Sequence, residues 1–175
     1  MAYIILSDDL SGAAGMASLI GPDLPVIPFN QIQGIPENEY NILSVDLETR
    51  NSSTVTDKIS TVKKQFPRHI IMVRIDTLLR GSTRQFIEYI CMYNFIALTD
   101  TIPDYGRYTS DSCTIFKDSI QDLSNYVTAN ARNKTFIFDS KTYGDLKNIV
   151  KQCVVKNLLP VDPGPLISLY LEMVE

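Results

Sequence analysis

The chain has a single histidine, His69, and three widely spaced cysteines, Cys91, Cys113 and Cys153. An odd, scattered set of thiols is neither a disulfide framework nor a zinc-ligand spacing, so the cysteines are read as buried or idle in a reducing cytosol. His69 stands beside a strand start with no evident partner and is read as structural or exposed, which leaves no serine–histidine or cysteine–histidine relay to build a nucleophile from. Basic clusters are also missing. With a net charge of -4 and a pI near 5.0, neither nucleic acid nor a membrane surface is an expected partner. No apolar run approaches the length of a membrane span, and no basic segment precedes the first apolar run, so no signal peptide is expected and a cytoplasmic location is. There is no G-x-G-x-x-G or Walker-type loop, no internal repeat, no low-complexity tract and no linker long enough to divide the chain. Residues 1–175 are therefore expected to form one domain, with no metal site and no cofactor of its own.

What is present is a balanced globular composition, 45% hydrophobic and 21% charged, enough for a real core. Short apolar runs recur at Tyr3–Leu6, Pro25–Phe29, Ile42–Asp46, Ile70–Val73, Phe95–Leu98 and Thr135–Asp139, and read as strands. Between them lie helical patterns: a small-residue stretch stopping at Gly21-Pro22, a stripe of Val55, Ile59, Val62 and Phe66, another of Phe86, Ile87, Ile90 and Tyr93, and a capping-box start at Thr142 with Leu146, Ile149, Val150 and Cys153 inward. Thr109–Asp118 reads as a hairpin, and the residues around Leu123 and Val127 as a helix. Asp162-Pro163-Gly164-Pro165 reads as a turn before a last helix, Leu166–Val174. Alternating strands and helices predict an α/β fold of three layers, a mostly parallel, Rossmann-like sheet flanked by helices.

Charges follow the strands. Ser7-Asp8-Asp9 follows the first, Asp46-Leu47-Glu48-Thr49-Arg50 ends the third, Arg74-Ile75-Asp76-Thr77-Leu78-Leu79-Arg80 ends the fourth, and Arg107 lies in the loop after Leu98. In a parallel sheet these residues gather at the carboxyl rim, where ligands bind. Guanidinium groups grip carboxylates or phosphates through paired hydrogen bonds, and aspartates accept hydrogen bonds from hydroxyls. Arg50, Arg74, Arg80 and Arg107 are thus candidates for an anion, and Asp8, Asp9 and Asp76 for hydroxyls. Residue by residue, the competing reading is a helix cap or a structural ion pair.

Five segments, in order, resemble motifs of the four-carbon acid sugar kinases, the threonate, erythronate and 3-oxo-tetronate kinase family. Ser7-Asp8-Asp9-Leu10-Ser11-Gly12-Ala13 resembles D-D-x-T-G-A, and Asp46-Leu47-Glu48-Thr49-Arg50 resembles D-T-x-S-R. The stretch from Arg74 to Ser82 is similar to K-x-D-S-T-x-R-G-N, Ile102–Arg107 to F-P-x-x-G-R, and Asp139–Leu146 to D-A-x-T-x-x-D-L. The chain departs from these at Leu47, Arg74, Leu78 and Ser82. The resemblance implies the family's N-terminal, sugar-acid-binding domain, with the C-terminal nucleotide-binding domain absent. It implies a small four-carbon aldonate-like acid as ligand. ATP and Mg are then expected only with a separate ATP-binding kinase subunit, and an exposed apolar patch involving Leu166–Val174 is where such a subunit would dock. No residue is assigned as the catalytic base. The alternatives are a non-catalytic binding or regulatory module and, with least support, an isomerase or hydrolase using the same carboxylates; a homo-oligomer is compatible with each.

Overall fold

The computed structural model describes residues 1–174, and the chain divides into two compact units, Met1–Phe86 and the residues from Ile87 on. The first unit holds β1 (Tyr3–Ser7), α1 (Leu10–Ile20), β2 (Val26–Pro28), β3 (Ile42–Asp46), α2 (Val55–Gln65) and β4 (Ile70–Arg74). Its strands run parallel in the order β2-β3-β1-β4, with Tyr3 facing Ile42 on one side and Ile70 on the other. Every residue of β1 is buried, as a strand covered on both faces requires. Helix α1 packs through Gly12, Ala13 and Met16, and the small Gly12 and Ala13 let it approach β3 closely enough for Ser44 Oγ to donate to the Ala13 carbonyl at 3.1 Å. Helix α2 buries the expected Val55, Ile59 and Val62. His69 is structural: it is buried, with Nε2 3.0 Å from the Tyr40 carbonyl and its ring edge-on to Phe66.

Helix α3 (Thr83–Tyr93) leads into the second unit, which holds β5 (Phe95–Leu98), β6 (Tyr108–Ser110), β7 (Cys113–Phe116), β8 (Ser119–Asp122), β9 (Thr135–Ile137), α4 (Tyr143–Lys156), β10 (Leu158–Asp162) and α5 (Pro165–Val174). Here β10, β5 and β9 are parallel, while β6, β7 and β8 form a separate antiparallel sheet. Each unit thus carries a parallel sheet flanked by helices, the expected α/β class. The capping box of α4 forms in both directions between Thr142 and Asp145. At the start of α5 the buried Asp162 carboxylate accepts from the Leu166 and Ile167 amides at 2.6 and 3.2 Å, with Pro165 as the first helical residue.

Three local expectations change. The hairpin at Thr109–Asp118 is a three-stranded meander reaching Asp122, because Ser119–Asp122 pairs with β7 although its polar sequence gives no alternating signal. The helix around Leu123 and Val127 is one 3-10 turn, Leu123–Tyr126, started by the Asp122 carboxylate accepting from Ser124 N. Strand β10 was not expected from the sequence; Pro160 interrupts the donor pattern of a strand, yet it lies opposite Ala97 within a fully buried run.

Candidate functional site at the carboxyl ends of β1, β3 and β4

Strands β3, β1 and β4 are neighbours, so the segments that follow them meet at one rim. Backbone hydrogen bonds fix these segments. Leu47 N donates to the Ser7 carbonyl at 2.9 Å, and Thr49 N and Arg50 N donate to the Asp8 carbonyl at 2.8 and 3.0 Å. The segment after β3 therefore folds back over the end of β1 and delivers Arg50 to the two aspartates. The loop after β4 is pinned by Ser82 Oγ, which donates to the Thr49 carbonyl at 3.0 Å. Gly81 allows this approach: its φ is +63°, and a Cβ there would run into Asp8 Oδ2 and lie 3.1 Å from Arg50 Cα.

Arg50 is the hub. Its Nη1 pairs with Asp9 Oδ2 at 2.5 Å, its Nη2 with Asp8 Oδ1 at 3.2 Å and Asp76 Oδ1 at 2.7 Å, and its Nε donates to Asp8 Oδ2 at 3.3 Å. Asp8 and Asp76 are almost fully buried, and Arg50 itself keeps a quarter of its side chain exposed. Arg80 grips Asp76 from the outer side, Nε to Oδ2 at 2.8 Å and Nη2 to Oδ1 at 3.1 Å. Burial works against a charge on Asp76, but the Arg80 side chain, the Arg80 and Leu78 amides and the Arg50 charge outweigh it, and the carboxyl is held down at about 2. Asp9 also caps α1, accepting from Gly12 N at 2.8 Å and Ser11 Oγ at 2.7 Å.

Six of the seven candidates thus belong to the first unit, and Asp8, Asp9, Arg50, Asp76 and Arg80 form one ion-pair network. Arg74 lies at the end of β4 with its guanidinium against α1, where a Cβ on Gly12 would come within 2.6 Å of Nη1. The seventh, Arg107, belongs to the second unit and is buried. Its Nη1 pairs with the fully buried Asp100 at 2.9 Å, and its guanidinium stacks on Phe116 at 4.6 Å. Two further rim residues, present in the motif segments, were not among the candidates. Asp46 ends β3 with its carboxyl nearly buried, accepting from Glu48 N at 2.8 Å. Burial pushes its pKa up, with help from the charges of Glu48 and Asp9 and against the Glu48 amide and Lys58. Ser7 ends β1 fully buried, and its hydroxyl has no hydrogen-bond partner. Strand register, which no single run of residues discloses, is the signal that brings these two together.

Among the described residues no group of three or more His, Cys, Asp or Glu is arranged to hold a metal ion. In the aspartate cluster the centre is taken by the Arg50 guanidinium.

No protein-family profile matches the chain, and no curated protein matches it in sequence. Solved structures do share its fold. One is a Bordetella bronchiseptica protein described as a domain of unknown function, DUF1537, with bound citrate and as a domain-swapped dimer. In two crystal forms it is 15% and 13% identical, with TM-scores of 0.73 and 0.75. The match covers 97% and 98% of this chain and 56% and 55% of that one. A Salmonella typhimurium protein, provisionally described as a tRNA synthase, is 11% identical with a TM-score of 0.72 over 98% of this chain and 56% of that one. A Haemophilus influenzae protein of the DUF1537 family is 11% identical with a TM-score of 0.70 over 96% of this chain and 55% of that one. The chain therefore spans little more than half the length of the solved proteins it resembles.

Proposed function

We propose that this chain binds a small hydroxylated acid, of the four-carbon aldonate kind, as the substrate-binding part of an ATP-dependent sugar-acid kinase. The observation that carries the reading is the convergence, at one sheet rim, of the three segments whose motifs resemble those of the sugar-acid kinases. Asp8 and Asp9, Asp46 to Arg50, and Arg74 to Ser82 come together at the ends of β1, β3 and β4. A rim dense in both carboxylates and guanidinium groups suits a ligand that carries both a charge and hydroxyls. Citrate bound to the Bordetella protein, a hydroxylated carboxylic acid on a similar fold, is in keeping with this ligand class.

ATP and Mg belong, in this reading, to a second polypeptide chain or domain, which supplies the phosphate-cradling groups and the metal that phosphoryl transfer needs. The face between α4 and α5, where Val154, Val155 and Met173 are exposed beside a shallow groove of about 320 Å³ floored by Val150 and Leu169, is in keeping with such a partner.

Calorimetric titration with D-threonate, D-erythronate and citrate, and separately with ATP-Mg, tests the proposal. Aldonate binding without ATP binding is the expected result. Tight ATP-Mg binding by this chain alone, or no binding of any hydroxy acid, would overturn it. Aldonate binding that no ATP-binding partner ever converts to phosphoryl transfer would favour a non-catalytic module instead.

A further inference from the structure

The outermost strand of a sheet presents a row of bare backbone donors and acceptors, which a chain either protects or pairs. Among the described residues, β2, β8 and β9 each have a sheet neighbour on one side and an open edge on the other. Strand β6 is closed on its outer side, where Thr109 exchanges backbone hydrogen bonds with Ser140 at 2.9 Å each way. Two of the open edges carry the usual protection. Strand β2 is three residues long, with Pro25 before it and Pro28 at its end, and a proline offers no donor. Strand β8, Ser119-Ile120-Gln121-Asp122, is mostly polar, with Asp118 just ahead of it and Asp122 at its end. Strand β9, Thr135-Phe136-Ile137, has neither proline nor charge. It consists of the β-branched and aromatic residues that favour strand pairing.

The register with β5 fixes which groups of β9 are bare. Phe138 N donates to the Leu98 carbonyl at 2.9 Å, and Phe136 stands opposite Ala97. Residues 136 and 138 therefore turn their peptide groups to β5, and by alternation Thr135 and Ile137 turn theirs outward. The side chains beside this edge are apolar and exposed. Phe136 is 44% exposed, and Phe95, its partner in a tilted ring pair at 6.3 Å, is 48% exposed. Met92 and Tyr93, at the end of α3, are exposed too. Lys134 joins them to the ring pair: its ammonium donates to the Met92 carbonyl at 3.2 Å and lies 6.0 Å from the Phe95 ring centre. Bare peptide groups and an uncovered aromatic patch thus coincide at one strand, a combination that marks an interaction site.

We propose that β9 is an assembly edge, and that its occupant is β9 of a second copy of this chain. The strand is complementary to itself. A two-fold axis makes edge-paired copies antiparallel. With the axis at Phe136, Thr135 of one copy stands opposite Ile137 of the other, on both sides of the axis. Both residues face their peptide groups outward, so each such pair exchanges two main-chain hydrogen bonds. Phe136 then meets its own copy in the close, non-hydrogen-bonded position between them, with about 4.5 Å between Cα atoms. The two Phe95–Phe136 pairs join into one aromatic cluster across the axis. No like charges face each other: Lys134 comes opposite Phe138, and Asn133 opposite Asp139. An extended segment of another protein would meet the same bare groups, but the match of Thr135, Phe136 and Ile137 with themselves favours a copy. The pairing concerns neither the rim of β1, β3 and β4 nor its ligand, so its failure leaves the sugar-acid reading untouched.

The test is the mass of the full chain in solution, by sedimentation velocity across micromolar concentrations. The wild-type chain is expected to form a dimer, reversibly with concentration. Phe136→Lys sets two charges against each other across the axis and is expected to weaken the dimer about tenfold or more. Because Phe136 is exposed, this variant is expected to keep the wild-type circular dichroism spectrum. Ile120→Lys, on the exposed edge of β8, is the matched control and is expected to leave the dimer intact. Position is read from Phe136→Cys in a Cys113→Ser background, where the remaining cysteines, Cys91 and Cys153, are buried. Air oxidation should join two copies through the close pair, giving a covalent dimer that a reductant reverses. Should Phe136→Lys fail to fold, this cross-link decides alone. A wild-type chain that stays monomeric would overturn the proposal and leave the edge to a strand of another protein. So would a dimer that Phe136→Lys leaves intact, one that Ile120→Lys dissociates instead, or the absence of the cross-link.

Discussion

Replacing Arg50 by alanine removes the cation that Asp8, Asp9 and Asp76 share. Two of these carboxylates are nearly buried, 1% and 3% exposed, and cannot turn to water. Breaking a buried pair from one side costs about 3–5 kcal/mol, because the remaining charge is left uncompensated. Asp76 keeps Arg80 and Asp9 is partly exposed, so the low end applies, about 3 kcal/mol, or a fall in Tm of about 6–12 °C for a chain of this size. The loss has a pH signature. Asp76 sits at about 2 against an ordinary 3.8, so its ionisation stabilises the fold above about pH 4 and the contribution fades as the pH falls toward 2. That difference corresponds to about 2.4 kcal/mol, trimmed to about 1–2 kcal/mol because half-exposed Arg80 is screened by solvent. In Arg50→Ala the Asp76 carboxyl loses part of the support that keeps it ionised, so the deficit should be largest at pH 7 and shrink at low pH. Urea unfolding followed by far-UV circular dichroism at both pH values measures it. A deficit below about 1 kcal/mol, or one equal at the two pH values, would refute the hub.

Gly81→Ala should destabilise by more than about 2 kcal/mol, since it forces an L side chain to φ +63° and drives its Cβ into Asp8; a smaller change in the urea midpoint would mean that the loop relaxes easily. Arg107→Ala should lower the Tm by removing the cation paired with the fully buried Asp100, and a near-neutral result would show that the pair contributes little. Tyr143, whose hydrogen bond to Asp104 pushes its phenol up to about 12, should ionise well above the ordinary tyrosine range by ultraviolet titration, and Asp104→Asn should bring it down. Cys113 should react first with a disulfide reagent. Cys153, which burial and the nearby Asp162 charge push up to about 12, should react only on unfolding.

Strands β1, β3, β4 and β5 were legible because each is a short apolar run with charge or turn residues at its end, and α4 because its capping box is spelled out by Thr142 and Asp145. Strand β10 was not, because Pro160 speaks against a strand locally and only pairing with β5 overrules it. Strand β8 was not, because its polar residues leave no pattern of burial. The site divides in the same way. That aspartates and arginines follow neighbouring strands could be read from order alone. That Arg50 would neutralise three of them, and that Arg107 would be taken by Asp100 seven residues earlier, are outcomes of distance. Asp46 and Ser7 gain meaning only from the register that sets them side by side.

The internal pairing of the rim bears on how a ligand arrives. Asp8, Asp9 and Asp76 nearly cancel Arg50 and Arg80 within a few ångströms, on a chain of net charge -4. Such a rim casts little positive field into solvent, so it draws no anion from afar. Under the proposed function, capture of a small acid would then proceed by unguided diffusion, at a rate that added salt barely changes, with discrimination exercised after contact, in how long the ligand stays.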